Sequence, residues 1–395
     1  MLTDEQIEDI LFKYTSRQDE FSLRIIRIIA NRLSNLADFD KLDTLHQEEV
    51  MREDITLIKR VHKDYVKKQM QAIKDDFWWI AVVIYMESLK FYAEQLALRE
   101  NNALMTSITE ITKEAQTQLL ALLRHPVFVI RDLKNPAILK AWDLEKTYRS
   151  ILAEASNYSN VSNELRDIAL KRTETQLFDS GVRYMIDNSS DNAKNAISAN
   201  QAIRMNVLEN AKLLINKMQD IMGKQFGANA VELSAHIYPA PDHAPAQGHQ
   251  YSLEDMKKMQ SGEDFKDLEG NSYAGFERRI GEWNCRHYFM KIKKGAEPTY
   301  TQKQLDKILA DNQRGYTDEN GKHRTLYECT QVQRRYEREI RNAKEKYLYA
   351  KALNDKNMMT RARTRVGTLT TQYKQFSRKC DIPIKLERIR VKDYK

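Results

Sequence analysis

Five side chains able to bind a transition metal or carry a proton fall in one stretch of the chain: His236, His243, His249, Cys285 and His287. Imidazole and thiolate are ligands that zinc favours, so a metal centre is the first chemistry to weigh. Structural zinc ligands usually come in pairs about two to five residues apart. Here His236 and His243 have six residues between them, and Cys285-x-His287 is tighter than a zinc knuckle. The spacing therefore predicts neither a bound metal nor a cofactor. A second chemistry is metal-assisted phosphodiester cleavage by His236 or His243 with Asn284 and His287. Asp242 is the only acidic residue from Ser234 to Gln250, which is thin ligation for such a site. A DNA-handling nuclease or toxin-like enzyme thus stands as the alternative, and no catalytic residue is predicted. The plainer reading is structural. A loop carrying Pro239, Pro241 and Pro245 cannot pair its backbone in a ladder, so buried carbonyls there need donors such as the histidines, Asn284, Arg286 and Gln247.

The elements that hold this loop follow from the punctuation of the chain. None of the 12 glycines precedes Gly181, and ten fall between Gly223 and Gly321. Gly and Pro are costly inside helices and frequent in turns. The predicted fold is α+β, predominantly α-helical. Residues 1–225 form a helical assembly region, 226–300 a small mixed α/β domain, and 301–395 a basic helical hairpin with a terminal strand.

In the first region Thr3 and Gln6 fit a capping box, and Ile7, Ile10, Leu11 and Tyr14 begin an apolar stripe at helical spacing. Further helices are expected over about 45–98, 103–123 and 191–226, with a short strand or loop at 126–136. The segment Phe77–Met86 is apolar on every side and predicts burial all round, in the bundle or between chains. In the middle region, residues 231–236 and 288–292 read as strands.

Net charge is +8 overall, but Tyr327–Lys395 alone holds 19 Lys and Arg against 8 Asp and Glu, or +11. Two heptad seams run there: Tyr336, Ile340, Ala343, Tyr347 and Ala350, then Met359, Ala362, Val366, Leu369, Tyr373 and Phe376. Asn354–Asn357 makes the turn, giving an antiparallel helical hairpin. Alternation at Ile382, Ile384, Leu386, Ile389 and Val391 suits a strand pairing with the middle sheet. Arg334, Arg335, Arg338, Arg341, Arg361, Arg363 and Arg365 are the candidates to face DNA. A nucleic-acid-binding coiled-coil protein is therefore a further alternative. Three cysteines at unrelated spacings predict no disulfide framework, acidic residues among the first nine argue against a secretory leader, and an apolar run of ten residues is too short to span a bilayer, which takes ~20.

Ordered motifs carry a resemblance. Glu232, Ser234, Ala235 and His236, then Pro241, His243 and Ala244, then Gln247-Gly248, and later Asn284-Cys285-Arg286-His287 follow one family pattern. Tyr327–Arg334, Glu337–Arg341, Phe376-Ser377 and Glu387–Val391 continue it. Here the chain resembles the tailed-phage minor capsid protein 2 family, related to the Mu F-like head-morphogenesis proteins. It departs from the pattern at Ala240 and Ala246, where the family usually has Arg and an aromatic. The resemblance implies a non-enzymatic minor protein of the phage head, made in the host cytoplasm and retained in the virion at the head interior or portal vertex. The implied partners are the portal and capsid proteins of the same phage and packaged double-stranded DNA, bound without sequence preference. Several copies per virion and no membrane association are expected.

Overall fold

The computed structural model describes residues 3–89, 100–124, 126–131, 139–159, 182–185, 196–276, 279–280 and 285–394. The first helix, α1 (Asp4–Ser34), opens on the expected capping box: Thr3 Oγ1 accepts from Gln6 N, and the Gln6 side chain accepts from Thr3 N. After the short α2 (Leu36–Phe39) comes α3 (Thr44–Leu89), 46 residues and about 70 Å long at 1.5 Å per residue. Its expected continuation to residue 98 lies outside the described residues. α4 (Asn102–Leu123) and α5 (Leu144–Ser159) follow, and then α6 (Ala199–Phe226). α1, α3 and α6 each touch the other two, and α4 lies against α3 and α6. Between these helices a four-stranded antiparallel sheet runs in the order β2-β1-β3-β4: β1 Val127–Arg131, β2 Leu139–Asp143, β3 Val182–Met185, β4 Ala196–Ser198. Only the first of these strands was legible beforehand. α6 begins later than expected because Ser198 caps it, its Oγ accepting from Gln201 N at 3.3 Å.

The middle region is built on a second sheet, β6-β5-β9, in which β5 (Ala230–Leu233) lies between β6 (Gln250–Ser252) and β9 (Phe289–Ile292). α7 (Leu253–Ser261) and the hairpin of β7 (Phe265–Lys266) and β8 (Ser272–Tyr273) complete it. Strand alternation splits the burial. Ala230, Met290 and Ile292 join the main core with α6, whereas Val231, Leu233 and Phe289 join a smaller core with Tyr251, Met259 and Phe265. The main core also takes in Tyr349, Ala350 and Met358, so apolar packing continues across residues 225/226 and 300/301.

The last region opens with α8 (Gln302–Arg314), capped by Thr301 and Gln304 as expected, and the short pair β10 (Tyr316–Thr317) and β11 (His323–Arg324). α9 (Leu326–Ala352) and α10 (Lys356–Lys379) form the antiparallel hairpin, with Ile340, Ala343, Val366, Leu369 and Tyr373 buried along the seam. The tail is not the strand that its alternation suggested. Leu386–Ile389 is a 3₁₀ helix, because side chains of the hairpin satisfy its backbone in place of a ladder. Lys385 N donates to Tyr373 Oη at 2.9 Å, Arg341 donates to the Arg388 carbonyl at 2.6 Å, and Lys344 Nζ donates to the Ile389 carbonyl at 2.7 Å. No helix of the described residues is long and apolar enough to cross a membrane.

The Phe77–Met86 segment is buried on one side only. Phe77, Ile80, Ala81 and Ile84 are fully inside, while Trp79 is 39% and Met86 61% exposed. A period of 3.6 residues cannot turn ten consecutive side chains toward one core. Phe77→Ala is expected to lower unfolding free energy by about 3–5 kcal/mol. Met86→Ser, at the most exposed position of the segment, should change it by less than about 1 kcal/mol. Denaturant titration of the two purified variants checks both.

Candidate functional site

Strand register brings the histidine loop together. Beyond the end of β5, Ser234 N donates to the Tyr288 carbonyl at 3.0 Å and Tyr288 N donates to Ser234 Oγ at 3.1 Å. This places Ala235-His236 beside His287, although 51 positions separate the two histidines in sequence. Residues 239–248 then fold back as consecutive turns, with His243 N and Ala244 N both donating to the Ala240 carbonyl, and Gly248 N returning to the Leu233 carbonyl at 2.9 Å. Gly248 has φ +78°, a left-handed conformation that favours glycine, and a β-carbon there would press on Leu305 Cδ2 at 2.3 Å.

Inside that fold Cys285 Sγ lies 3.6 Å from His287 Nδ1 and 3.9 Å from His243 Nδ1, and all three residues are buried. The His236 ring lies against His287, with centroids 4.4 Å apart. Gln247 Oε1 accepts from His236 N at 3.0 Å and lies 3.4 Å from His287 Nε2. Glu232 is fully buried, its Oε2 accepting from Thr299 N at 3.0 Å and from Gln250 Nε2 at 3.2 Å. His249 goes elsewhere, 3.6 Å from Asp267. Pro241 is exposed on the loop, and Asn284 lies outside the described residues. Ala240 and Ala246, the two departures from the family pattern, are both buried.

The third residue of the late motif, Arg286, reaches a different centre. The buried carboxylate of Glu8 on α1 pairs with it directly, and with Arg204 of α6 in a bidentate pair at 2.6 and 3.1 Å. Arg334 of α9 donates to the same oxygen at 2.9 Å, and Arg388 of the tail stands 4.0 Å away. With Arg338 and Arg341 these arginines line a cleft of about 600 Å³ whose acids are Glu8 and Glu337. Burial would raise the Glu8 carboxyl, but Arg286, then Arg204 and Arg334, hold it well below its ordinary value of 4.5. Burial pulls the Arg334 guanidinium down to about 10 and pushes the Glu337 carboxyl up.

Of the candidates to face DNA, Arg334 is therefore turned toward Glu8, and Arg341 pairs with Asp19 at 2.9 Å. Arg335, Arg338, Arg361, Arg363 and Arg365 are exposed. Glu8 itself escaped notice in the sequence. Its signal was a carboxylate set one turn before Leu11, in the apolar stripe of α1.

The charge cluster sets a pH response. Because the Glu8 pKa is depressed on folding, its contribution is present above about 4.5, the ordinary value it keeps when unfolded, and is lost as pH falls through the lower folded value. Glu8→Gln is expected to cost about 3–5 kcal/mol at neutral pH, since it leaves buried guanidinium groups without their counter-charge. The gap between wild type and variant should narrow as unfolding is measured at successively lower pH below 4.5.

The family model described as phage minor capsid protein 2 matches residues 2–377. No curated protein and no solved structure gives a significant match. That match runs from the N-terminal helices through the histidine loop and into the last turns of the basic hairpin. The chain belongs to the phage minor capsid protein 2 family.

Proposed function

We propose that the chain is a non-enzymatic structural protein of the phage head, seated near the portal on the capsid interior, with its basic hairpin turned toward packaged double-stranded DNA. In this reading several copies per virion contact portal and capsid proteins, support head assembly and help retain the genome. The observation that carries it is the composition of α10. This helix contains seven Lys and Arg and no Asp or Glu. Lys356, Arg361, Arg363, Arg365, Arg378 and Lys379 are exposed, while Met358, Val366, Leu369 and Tyr373 bury the opposite face. An ordinary solvated helix face carries both signs, and this one carries only one.

The arginines are held as a surface. Arg363 lies over the Tyr347 ring, 5.2 Å from its centroid, and donates to the Tyr347 hydroxyl at 2.9 Å. Arg365 and Arg335 flank Glu339 at 3.4 and 3.5 Å. These exposed pairs are weak, so the guanidinium groups remain available to phosphate. Contact with phosphates alone supports binding that ignores sequence and depends strongly on salt.

The expected outcome is that the full chain binds random-sequence duplex and loses about a thousandfold or more in affinity between roughly 50 and 200 mM salt. Replacing Arg361, Arg363 and Arg365 together with Glu should weaken binding on every sequence and lower the salt slope by about 3. Fluorescence anisotropy titrations at several salt concentrations measure both. Unchanged binding by the triple variant would assign these arginines to protein contacts.

A further inference from the structure

We propose that His243, Cys285 and His287 bind one zinc ion, with the fourth position taken by water. This reverses the expectation drawn from ligand spacing. Zn–S bonds of about 2.3 Å and Zn–N bonds of about 2.05 Å at a tetrahedral angle put sulfur and nitrogen about 3.6 Å apart. Cys285 Sγ lies 3.6 Å from His287 Nδ1 and 3.9 Å from His243 Nδ1, and the three ligand atoms all fall within 4.8 Å of one another. All three residues are buried, at 1–3% exposure, which is where structural metals sit.

The outer shell fits as well. A histidine that ligates through Nδ1 normally turns its Nε2–H toward an oxygen, which fixes the ring. His287 Nε2 faces Gln247 Oε1 at 3.4 Å, and His243 Nε2 faces Asp242 Oδ2 at 3.5 Å. One Zn²⁺, one thiolate and the Asp242 carboxylate at the exposed edge of the site sum to zero charge.

The ion would have a mechanical use. The smaller core comprises nine buried apolar residues among those described, Cys285 included. Cores of that size are commonly stapled by a disulfide or a metal. Here the bond would join the turns at 239–248 to the entry of β9, closing a loop of 42 residues between His243 and Cys285. The second acidic and histidine cluster, at His249, Asp267 and Glu269, is a built-in control. Its Asp267 carboxylate already accepts from Glu269 N, Asn271 N, Asn271 Nδ2 and Tyr273 Oη.

The test uses the full chain purified from zinc-replete medium. Elemental analysis should find about one zinc per chain. The cobalt-exchanged protein should show the near-ultraviolet thiolate-to-metal band that requires cysteine ligation. Cys285→Ser and His287→Gln should each lower zinc affinity at least about tenfold, whereas His249→Gln should retain the metal. Chelation should lower the melting temperature of the wild type. A folded wild-type protein that takes up no zinc would overturn the proposal, and so would a cobalt form without the thiolate band. The cobalt spectrum is read on wild type, so the outcome stands even where a ligand variant fails to fold.

Discussion

One buried carboxylate holds the three regions of the chain to one another. Glu8 meets Arg204 from α6, Arg286 from the loop entering β9, Arg334 from α9 and, at longer range, Arg388 from the tail. Desolvating so many charges is costly, and a well-packed apolar cluster could match the stability. What the ionic centre adds is geometry. The bidentate pair with Arg204 tolerates little rotation and fixes α1 against α6, while single contacts from Arg286 and Arg334 draw the loop and the hairpin to the same carboxylate. Arg27–Asp393, Lys385–Glu5 and Lys392–Glu20 repeat the same join at the surface, where each contributes little.

This centre also divides the basic excess of the C-terminal region into two populations. Arg334, Arg341 and Arg388 face inward and neutralise acids of α1, namely Glu8 and Asp19. The arginines of α10 have no acid on their own helix and project from it. Net charge alone would count both groups as one field. Burial separates a structural group from a surface fit for a polyanion. The apolar seam of the hairpin is what makes that surface rigid, since Val366, Leu369 and Tyr373 fix the rotation of α10 about its axis.

Much of the helical framework was legible because its signals are local. The boxes at Thr3 and Thr301 and the 3-4 spacing of Ile340, Ala343, Val366 and Leu369 are set by neighbours within one or two turns. Contacts made across the chain were read less well. Ile382, Ile389 and Val391 are buried as their alternation implied, yet Tyr373, Arg341 and Lys344 replace the strand partner that the pattern assumed. The histidine loop is likewise assembled across the chain: Cys285 meets His243 through the register of β5 with β9, a juxtaposition that spacing within a few residues does not show. Glu8 was overlooked because its partners come from four separate segments.

The most direct measurement is photo-crosslinking inside purified, nuclease-treated virions, with a photoreactive side chain placed at the exposed position Thr364 between Arg363 and Arg365. A second chain carrying it at the exposed Glu53 of α3 serves as reference. A head protein whose hairpin faces the genome should yield DNA adducts from position 364 and far fewer from position 53. Adducts to capsid or portal protein alone from position 364, or absence of the chain from virions, would contradict that arrangement.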